Sequence, residues 1–308
     1  MDEQQTAYRL FCRRQTQLPV FYQDWYLDAV CEGGSWSAVL LGDLHDPVAV
    51  WPFFVKKKGG FRYATMPPFV KYMGPWELKP SKDLGEQHAL LQALLAKMPR
   101  LDGFMQNFHY RLQNWLPFYW NGFRQETRYT YLLDIRDTEA VFQGINRNMR
   151  RNILKAEQQV HLEYSEDAHR FFAMNTLSFA RKGLKPPYSK KAFLRHDAAL
   201  AEQGQRQIFF AVDQQGRTHS AAYLIWDAHT AYYHLSGDDP ALRSSGAGIW
   251  ILWQAICFAQ RELGLECFDF EGSMLPEVEA IRRQFGARQT AYFFVWKYSN
   301  PLFALLKR

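Results

Sequence analysis

Short apolar runs bounded by turn residues alternate along this chain with longer stretches whose apolar positions recur at helical spacing. Phe21-Tyr-Gln-Asp-Trp-Tyr-Leu-Asp-Ala-Val30 reads as a helix. Trp36 to Leu41 and Val48 to Val55 flank Asp43 to Pro47 as a hairpin, and Phe61 to Thr65 gives a third strand after the Lys56-Lys-Lys-Gly-Gly60 turn. A Pro-rich loop from Met66 to Pro80 leads to a helix near Leu84 to Lys97, a strand Gly103 to His109, a short helix around Leu112 to Trp120 and a strand Arg128 to Ile135. The apolar stripe Val141, Phe142, Ile145, Met149 and Ile153 marks a helix from Thr138 to Glu157, with Arg147, Arg150, Arg151 and Lys155 on its opposite face. Beyond a strand Val160 to Tyr164 and helices near 167–181 and 190–203, the order repeats. Strands at 207–212, 220–226 and 230–236 precede a helix, a strand 267–272, a helix 276–284 and a strand 290–296. The chain therefore reads as the same α+β unit twice, each a mixed, mostly antiparallel sheet flanked by helices.

One stretch of the second copy points to chemistry. Ala231-Tyr-Tyr-His-Leu-Ser236 runs into the turn Gly237-Asp-Asp-Pro240, and Arg243-Ser-Ser-Gly246-Ala-Gly248 follows. From there Ile249, Leu252, Trp253, Ile256 and Leu263 mark one face of a helix that Gly264 is placed to end; Cys267-Phe-Asp-Phe-Glu-Gly-Ser273 is the next strand. A glycine-bearing loop between strand and helix aims backbone N–H groups at one point, where the helix dipole favours negative charge. Gly246 and Gly248 lack the Cβ atoms that would hold a phosphate off the backbone, and Arg243 adds a charge-assisted contact. Arg243, Ser244, Ser245, Gly246, Ala247 and Gly248 thus read as a phosphate cradle, or else as an ordinary glycine-rich helix start. The first copy carries Met66-Pro-Pro-Phe-Val-Lys-Tyr-Met-Gly-Pro-Trp76 at the corresponding place. Proline has no N–H to give a phosphate, so that copy is expected to shape the other side of the site.

Composition narrows the class. A chain of 308 residues suits two cores, and 47% hydrophobic with 16% aromatic residues excludes disorder. The longest apolar runs, such as Tyr292-Phe-Phe-Val-Trp296, fall far below the ~18 residues of a membrane span, and Met1-Asp-Glu-Gln-Gln lacks a signal-peptide pattern. A cytoplasmic location is expected. Cysteines at 12, 31, 257 and 267 show no Cys-x-x-Cys spacing, which argues for buried thiols and against a metal site or disulfide frame. A net charge of +6 favours an anionic partner, such as a nucleotide, tRNA or a phospholipid-linked substrate, or else serves solubility alone. Without RNA-stacking motifs, specific nucleic-acid reading is unsupported, and nothing suggests DNA.

Arg-x-x-Gly-x-Gly in a strand-loop-helix setting resembles the pyrophosphate loop of the GNAT acyltransferases, which hold acyl-coenzyme A there. Over most of its length the chain also resembles the Fem-type peptidyl transferases and their relatives, bacterial proteins of two GNAT units. The matching pieces are Gln23-Asp-Trp-Tyr-Leu-Asp-Ala29, Pro67-Pro followed by Tyr72-Met-Gly-Pro-Trp76, Asn148-Met-Arg-Arg-Asn-Ile-Leu-Lys-Ala156, and Phe268-Asp-Phe-Glu-Gly-Ser273 followed by Phe285-Gly-Ala287. The resemblance implies two tandem GNAT-like units: residues 1–136, completed by 299–308, with a degenerate donor site, and 137–298 with the cradle. It implies acyl transfer with acyl-coenzyme A, most simply acetyl-coenzyme A, as co-substrate, or aminoacyl-tRNA as in the Fem enzymes. A long coiled-coil arm found in some relatives has no counterpart, and the well-developed Arg243-x-x-Gly246-x-Gly248 favours coenzyme A. In the peptidyl transferases a Phe-Lys pair is thought to stabilise the intermediate. Ile281-Arg282 stands at the matching place, where arginine keeps the charge in a planar fork.

Acyl transfer to an amine or hydroxyl needs a fixed donor, an acceptor losing a proton and partners for the developing oxyanion. Asp269 and Glu271 alternate with Phe268 and Phe270, so strand periodicity turns both carboxylates one way, as a paired base or as structural acceptors. His234 precedes the cradle, near where a thioester would sit, as catalyst or core histidine. Tyr188, in Lys185-Pro-Pro-Tyr188, lines the acceptor entrance or packs a turn; Tyr232 or Tyr233 is a candidate acid for the leaving thiolate or a substrate contact. Arg147 and Arg151, with the six basic and no acidic residues from Arg181 to Arg195, give either a solvated face or a footprint for a lipid-linked or nucleotide-linked acceptor or for tRNA. The expected function is transfer of an acyl group to a small cell-envelope or polysaccharide precursor. Peptidyl transfer from tRNA and non-catalytic anion binding are the alternatives, and the terminal Pro301-Leu-Phe-Ala-Leu-Leu-Lys-Arg308 is expected to dock on the first half.

Overall fold

The computed structural model describes residues 3–272 and 274–306. Two compact units divide it: Met1–Arg128 with Ala291–Arg308, and Tyr129–Thr290. The boundaries expected after 136 and 298 fall instead after 128 and 290. The last strand of each expected unit is exchanged: residues 129–134 pair within the second unit and 291–298 within the first.

In the first unit α1 (Glu3–Arg14) and α2 (Asp24–Val30) precede the antiparallel meander β1 (Ser35–Gly42), β2 (Pro47–Lys58) and β3 (Phe61–Thr65). The two-residue β4 (Trp76–Glu77) pairs with β2. The helix α3 (Leu84–Lys97) crosses to β5 (Gly103–Asn107), which lies parallel to β3. After α4 (Leu116–Trp120) the chain leaves along β6 (Arg124–Asp134), and β5 finds its antiparallel partner in β12 (Arg288–Tyr298). The helix α1 carries no expectation from the sequence because polar residues dominate it. Its apolar residues are few, but Tyr8, Phe11 and Cys12 share one turn face and are buried.

Trp51 is the centre of this core. Its ring meets Phe104, Phe108 and Phe118 edge-on at 5.6, 6.1 and 5.7 Å. The buried indole N–H donates to Gln106 Oε1 at 2.8 Å, and the amide returns a bond to Pro52 O, so neither polar group is stranded. The closing helix α11 (Pro301–Leu305) buries Phe303 against Phe61, Tyr63 and Tyr298, as the sequence suggested; Lys307 and Arg308 lie outside the described residues. Gly103 makes room for that ring: a Cβ there would lie 2.1 Å from it.

The second unit orders its strands β6, β11 (Cys267–Asp269), β10 (Thr230–Asp238), β9 (Thr218–Trp226), β8 (Arg206–Asp213) and β7 (Val160–Ser165). All pairs are antiparallel except β10 with β11, which α9 (Ala247–Arg261) connects. The expected helix 138–157 is two helices, α5 (Thr138–Gly144) and α6 (Arg147–Glu157). Ile145 is extended, and the Asn146 side chain caps α6 by accepting from Asn148 N. The apolar stripe survives the break: Ile145, Met149 and Ile153 are buried with Trp250, Ile251 and Ile256 of α9. The helices α7 (Ala168–Ala180), α8 (Lys190–Glu202) and α10 (Pro276–Gln284) complete the unit. Each unit thus holds an antiparallel meander, a crossover helix and a parallel return strand, β3–α3–β5 in one and β10–α9–β11 in the other.

The four cysteines are free thiols; Cys12 and Cys257 are buried, Cys31 and Cys267 partly exposed. Among the described residues no helix is long and apolar enough to cross a membrane.

His109 makes the first unit acid-sensitive. Its Nδ1 accepts from Arg111 N at 3.1 Å, and burial, then the Arg111 charge, pushes its pKa down to about 3. An unfolded histidine takes up a proton below about pH 6.5 while the folded one stays neutral, so stability falls as pH drops, by up to ~1.4 kcal/mol per pH unit. Denaturant titrations at about pH 7 and about pH 5 test this: the wild type should lose stability, and His109→Gln, which keeps an acceptor, should flatten that loss.

Candidate active site

The site begins where two parallel strands part. β10 and β11 pair only from Thr230 to Tyr232 against Cys267 to Asp269, and β10 then continues six residues to Asp238 without β11, paired on its other edge with β9. Asp269 ends β11. Fully buried, its carboxylate accepts from Thr130 Oγ1 on β6 and from Glu271 N at 2.7 Å, so the chain curls instead of extending. Glu271 and Gly272 both take left-handed backbone, with φ 55° and 63°. Only glycine fits at 272, where a Cβ would lie 2.1 Å from Tyr129 O.

This corrects one reading of the sequence. The strand expected over 267–272 stops at Asp269, and strict alternation stops with it; Ser273 lies outside the described residues. Asp269 and Glu271 take different partners, Asp269 on Thr130 and Glu271 on His234, whose Nδ1 is 2.6 Å from Glu271 Oε1. They are not a carboxylate pair.

His234 owes its position to a bulge. Tyr233 pairs with Leu224 and Leu235 with Tyr223, leaving His234 as the extra residue. Its ring lies 5.1 Å from His196 of α8, whose pKa is held well below the usual value, first by burial and then by His234. Beyond the bulge α7 serves the edge that β11 has left: Asn175 Nδ2 donates to Ser236 O and Ser178 Oγ accepts from Asp238 N, both at 2.7 Å. Gly237 permits that approach, since a Cβ would sit 2.5 Å from the Met174 backbone. The Tyr188 hydroxyl donates to Asn175 Oδ1 at 2.8 Å, so Tyr188 orients the amide and does not line the cavity described next.

A cavity of about 150 Å³ lies under the start of α9, lined by Arg243, Ser245, Gly246, Ala247 and Gly248 with Tyr233, Asp238, His219 and Arg282. Gly246 takes the N-cap position at φ 79°, without a capping side chain. The cradle is partly self-satisfied. Gly246 N donates to Arg243 O, Ala247 N to Ser245 Oγ, and Ile249 N to Gly246 O; Gly248 N has no such bond among the described residues. Ser244 does not line the cavity, and its carbonyl accepts from Lys155 Nζ of α6 at 3.4 Å. Arg147 and Arg151 are exposed on that helix, Arg151 one turn before Lys155; Arg150 turns away to Gln143.

Two arginines face this space. Arg282 stands over Tyr233 and Phe270, 5.8 and 5.5 Å from the ring centres, and its buried Nε has no hydrogen-bond partner among the described residues. Burial lowers its pKa, while Tyr233, Glu271 and Asp269 act to keep it charged. Arg243 is half-exposed, with Nε 3.9 Å from Asp238 Oδ2. Asp238 opposes both: its Oδ1 accepts from Ser220 Oγ and would lie 2.7 Å from a Cβ on Gly248, a carboxylate at the mouth of an anion cradle. Tyr233 stays protonated, because burial and Asp238 raise its pKa against the pull of Arg282. Tyr232 does not reach the cavity, since it is buried with its hydroxyl donating to Asp227 Oδ2.

The sequence missed Asp213 and His219. They form a chain beneath the cradle: His219 Nδ1 is 2.9 Å from Ser245 Oγ, and Nε2 is 3.0 Å from Asp213 Oδ2. They come from the β8–β9 hairpin, some 30 residues upstream, and only the fold brings them here.

Asp238→Asn removes the one acidic group of the cavity lining among the described residues and should tighten a phosphate-bearing anion bound there, with coenzyme A as the probe, about fivefold, the effect of one like charge in a partly screened site. Calorimetric titration against the wild type checks it; unchanged affinity would mean that Asp238 does not face the bound anion.

Residues 143–276 match the family model described as an acetyltransferase (GNAT) domain. No curated protein matches the chain in sequence. Among solved structures, FemX is similar at TM-score 0.65 and 14% identity, over 90% of this chain and 91% of that one. A tandem GNAT protein from the clavulanic acid biosynthesis pathway aligns at 0.55 and 11%, over 96% and 94%. The C-terminal domain of a putative lysylphosphatidylglycerol synthetase from Agrobacterium fabrum aligns at 0.55 and 12%, over 92% and 93%. The chain has the Fem-type fold of the GNAT superfamily, with two tandem units of which the second carries the matched domain.

Proposed function

We propose that this protein is an acyltransferase that moves an acyl group, acetyl in the simplest case, from coenzyme A to an amine or hydroxyl of a small cell-envelope or polysaccharide precursor. The observation that carries this reading is Arg282, a guanidinium whose buried Nε has no hydrogen-bond partner among the described residues, in the wall of the cavity that also holds the start of α9. A buried unmet donor costs ~1–3 kcal/mol unless something fills it. An oxyanion or phosphate would.

The residues fit such a donor in all but one respect. Gly248 N, the α9 dipole and Arg243 suit its phosphates, and Asp238 opposes them. The bound thioester supplies an activated acyl carbon. Arg282 stabilises the oxyanion formed as the acceptor attacks. The His234–Glu271 pair, which does not itself line the cavity, takes the proton released by the amine or hydroxyl. Tyr233, kept protonated, gives its proton to the sulfur as the C–S bond breaks. Asp269 and Gly272 hold Glu271 against His234, while Tyr188 and Asn175 steady β10 beyond its bulge.

Asp238 favours a second reading, since a carboxylate in the cradle suits a cationic aminoacyl group better than a diphosphate. The basic face of Arg147, Arg151 and Lys155 would then serve tRNA.

The first reading predicts binding of acetyl-coenzyme A with a Kd on the order of micromolar, weakened about tenfold in Arg243→Ala. Arg282→Gln should bind with near-wild-type affinity and lower kcat by ~10²-fold, partly restored in Arg282→Lys. Calorimetry with an amine-acceptor screen checks both. A wild type that ignores acetyl-coenzyme A but binds charged tRNA in a salt-dependent way would move the assignment to the second reading.

A further inference from the structure

The chain Asp213–His219–Ser245 is unused in the mechanism above, although His219 and Ser245 line the same cavity as Arg243 and Arg282. We infer that His219, with Asp213 behind it, is a positioning residue of the cradle, and that a phosphate-bearing donor binding there fixes His219 in its charged form and takes up a proton. The inference rests on the donor reading of this cavity.

Asp213 anchors the chain. Its carboxylate accepts from Arg217 Nε and N, at 2.7 and 2.9 Å, from Gln215 N at 3.0 Å, and from His219. Burial alone would raise its pKa, but the bonds from His219 and Arg217 outweigh that and hold it below the usual carboxylate range. Its oxygen is therefore an acceptor, and His219 Nε2 carries hydrogen in either charge state.

The remaining freedom is at Nδ1. With neutral His219, Nδ1 presents a lone pair and the Ser245 hydroxyl donates to it across 2.9 Å. With charged His219, Nδ1–H donates to Ser245 Oγ, and the hydroxyl hydrogen turns to Leu242 O, 2.8 Å from the same oxygen. Both states satisfy every group, and no heavy atom moves. Ser245 Oγ also accepts from Ala247 N at 3.3 Å, so a change in its hydrogen passes directly to the first turn of α9.

The charges around His219 set the balance. From its own hairpin come Asp213 and Arg217; from β10, Asp238 and Tyr233; from the turn before α9, Arg243; from α10, Arg282. Two guanidiniums and a helix N-terminus stand against Asp213 and Asp238 around the ring. An entering phosphate adds negative charge to that balance and favours the imidazolium. Asp238 is the competing acceptor for the same proton, since an anion beside it would also favour its neutral form.

The test is calorimetric titration of coenzyme A into the full chain at about pH 8 in HEPES and in Tris, whose different ionisation heats report the protons taken up. The wild type should take up most of one proton. His219→Gln, which keeps a donor toward Ser245 but cannot titrate, should abolish the uptake and weaken binding roughly tenfold near pH 7, converging on the wild type toward about pH 9. Asp213→Asn should reduce the uptake, and Asp238→Asn should leave it in place. Uptake that persists in His219→Gln, or disappears in Asp238→Asn, overturns the assignment. Failure of the wild type to bind coenzyme A would instead remove the donor reading, and this inference with it. Because proton uptake is counted only on protein that binds, a variant that merely folds poorly lowers the active fraction without changing the count.

Discussion

The second unit depends on the Asp269 carboxylate. By accepting from Thr130 across to β6 and from Glu271 N two residues on, it stops β11 after three residues while β10 runs on. Hydrogen bonds to a charged acceptor contribute ~1.5–3 kcal/mol each, and a buried carboxylate stripped of them would cost more than either. That stabilisation offsets the left-handed backbone at Glu271, roughly 1 kcal/mol for a residue with a side chain. What the curl achieves is local: Glu271 is turned back onto His234 at the bulge, and the freed edge of β10 is given to α7.

Charge in the cavity is nearly balanced before anything binds. Arg282, Arg243 and the α9 dipole stand against Asp238, with Glu271 and Asp269 behind Arg282. Such a site repels neither sign strongly when empty. Its selectivity must come from geometry, because the unmet Nε–H of Arg282 and the amide of Gly248 both require an acceptor and neither can donate to a cation. This is the physical reason to rank an anionic donor above an aminoacyl ammonium despite Asp238.

Much of this was legible in the sequence because it is local. Strand-turn-helix order, Gly246 and Gly248 at the helix entry and the apolar stripe through Ile145, Met149 and Ile153 all follow from period and turn chemistry. So does the repetition of one unit. What was not legible depends on contacts distant in sequence. The exchange of β6 and β12 leaves the element order unchanged and alters only which strand pairs with which. The opposite fates of Tyr232 and Tyr233 are set by Asp227 and by the core under α9. His219 looks like any strand histidine until Ser245 arrives beside it. Asp269 and Glu271 misled for a definite reason: alternation assumes an extended chain, and Asp269 itself ends the extension by capturing the next amide but one.

The two crossover helices begin with different chemistry. In the first unit α3 begins with Asp83, whose carboxylate accepts from Glu86 N, while Ser81 and Glu86 close the turn around it. The N-terminal donors and the dipole of that helix are already met by a carboxylate of the chain. In the second unit α9 begins with Gly246, which has no side chain to cap with, and the nearest carboxylate, Asp238, is drawn toward Ser220 and Arg243 instead. A helix start supplied with its own anion has little left to offer a ligand; one that is capped by glycine, with two arginines and a histidine in the same cavity wall, has more. The repeat has one topology and two chemistries, and the difference is made by what stands at the N-cap.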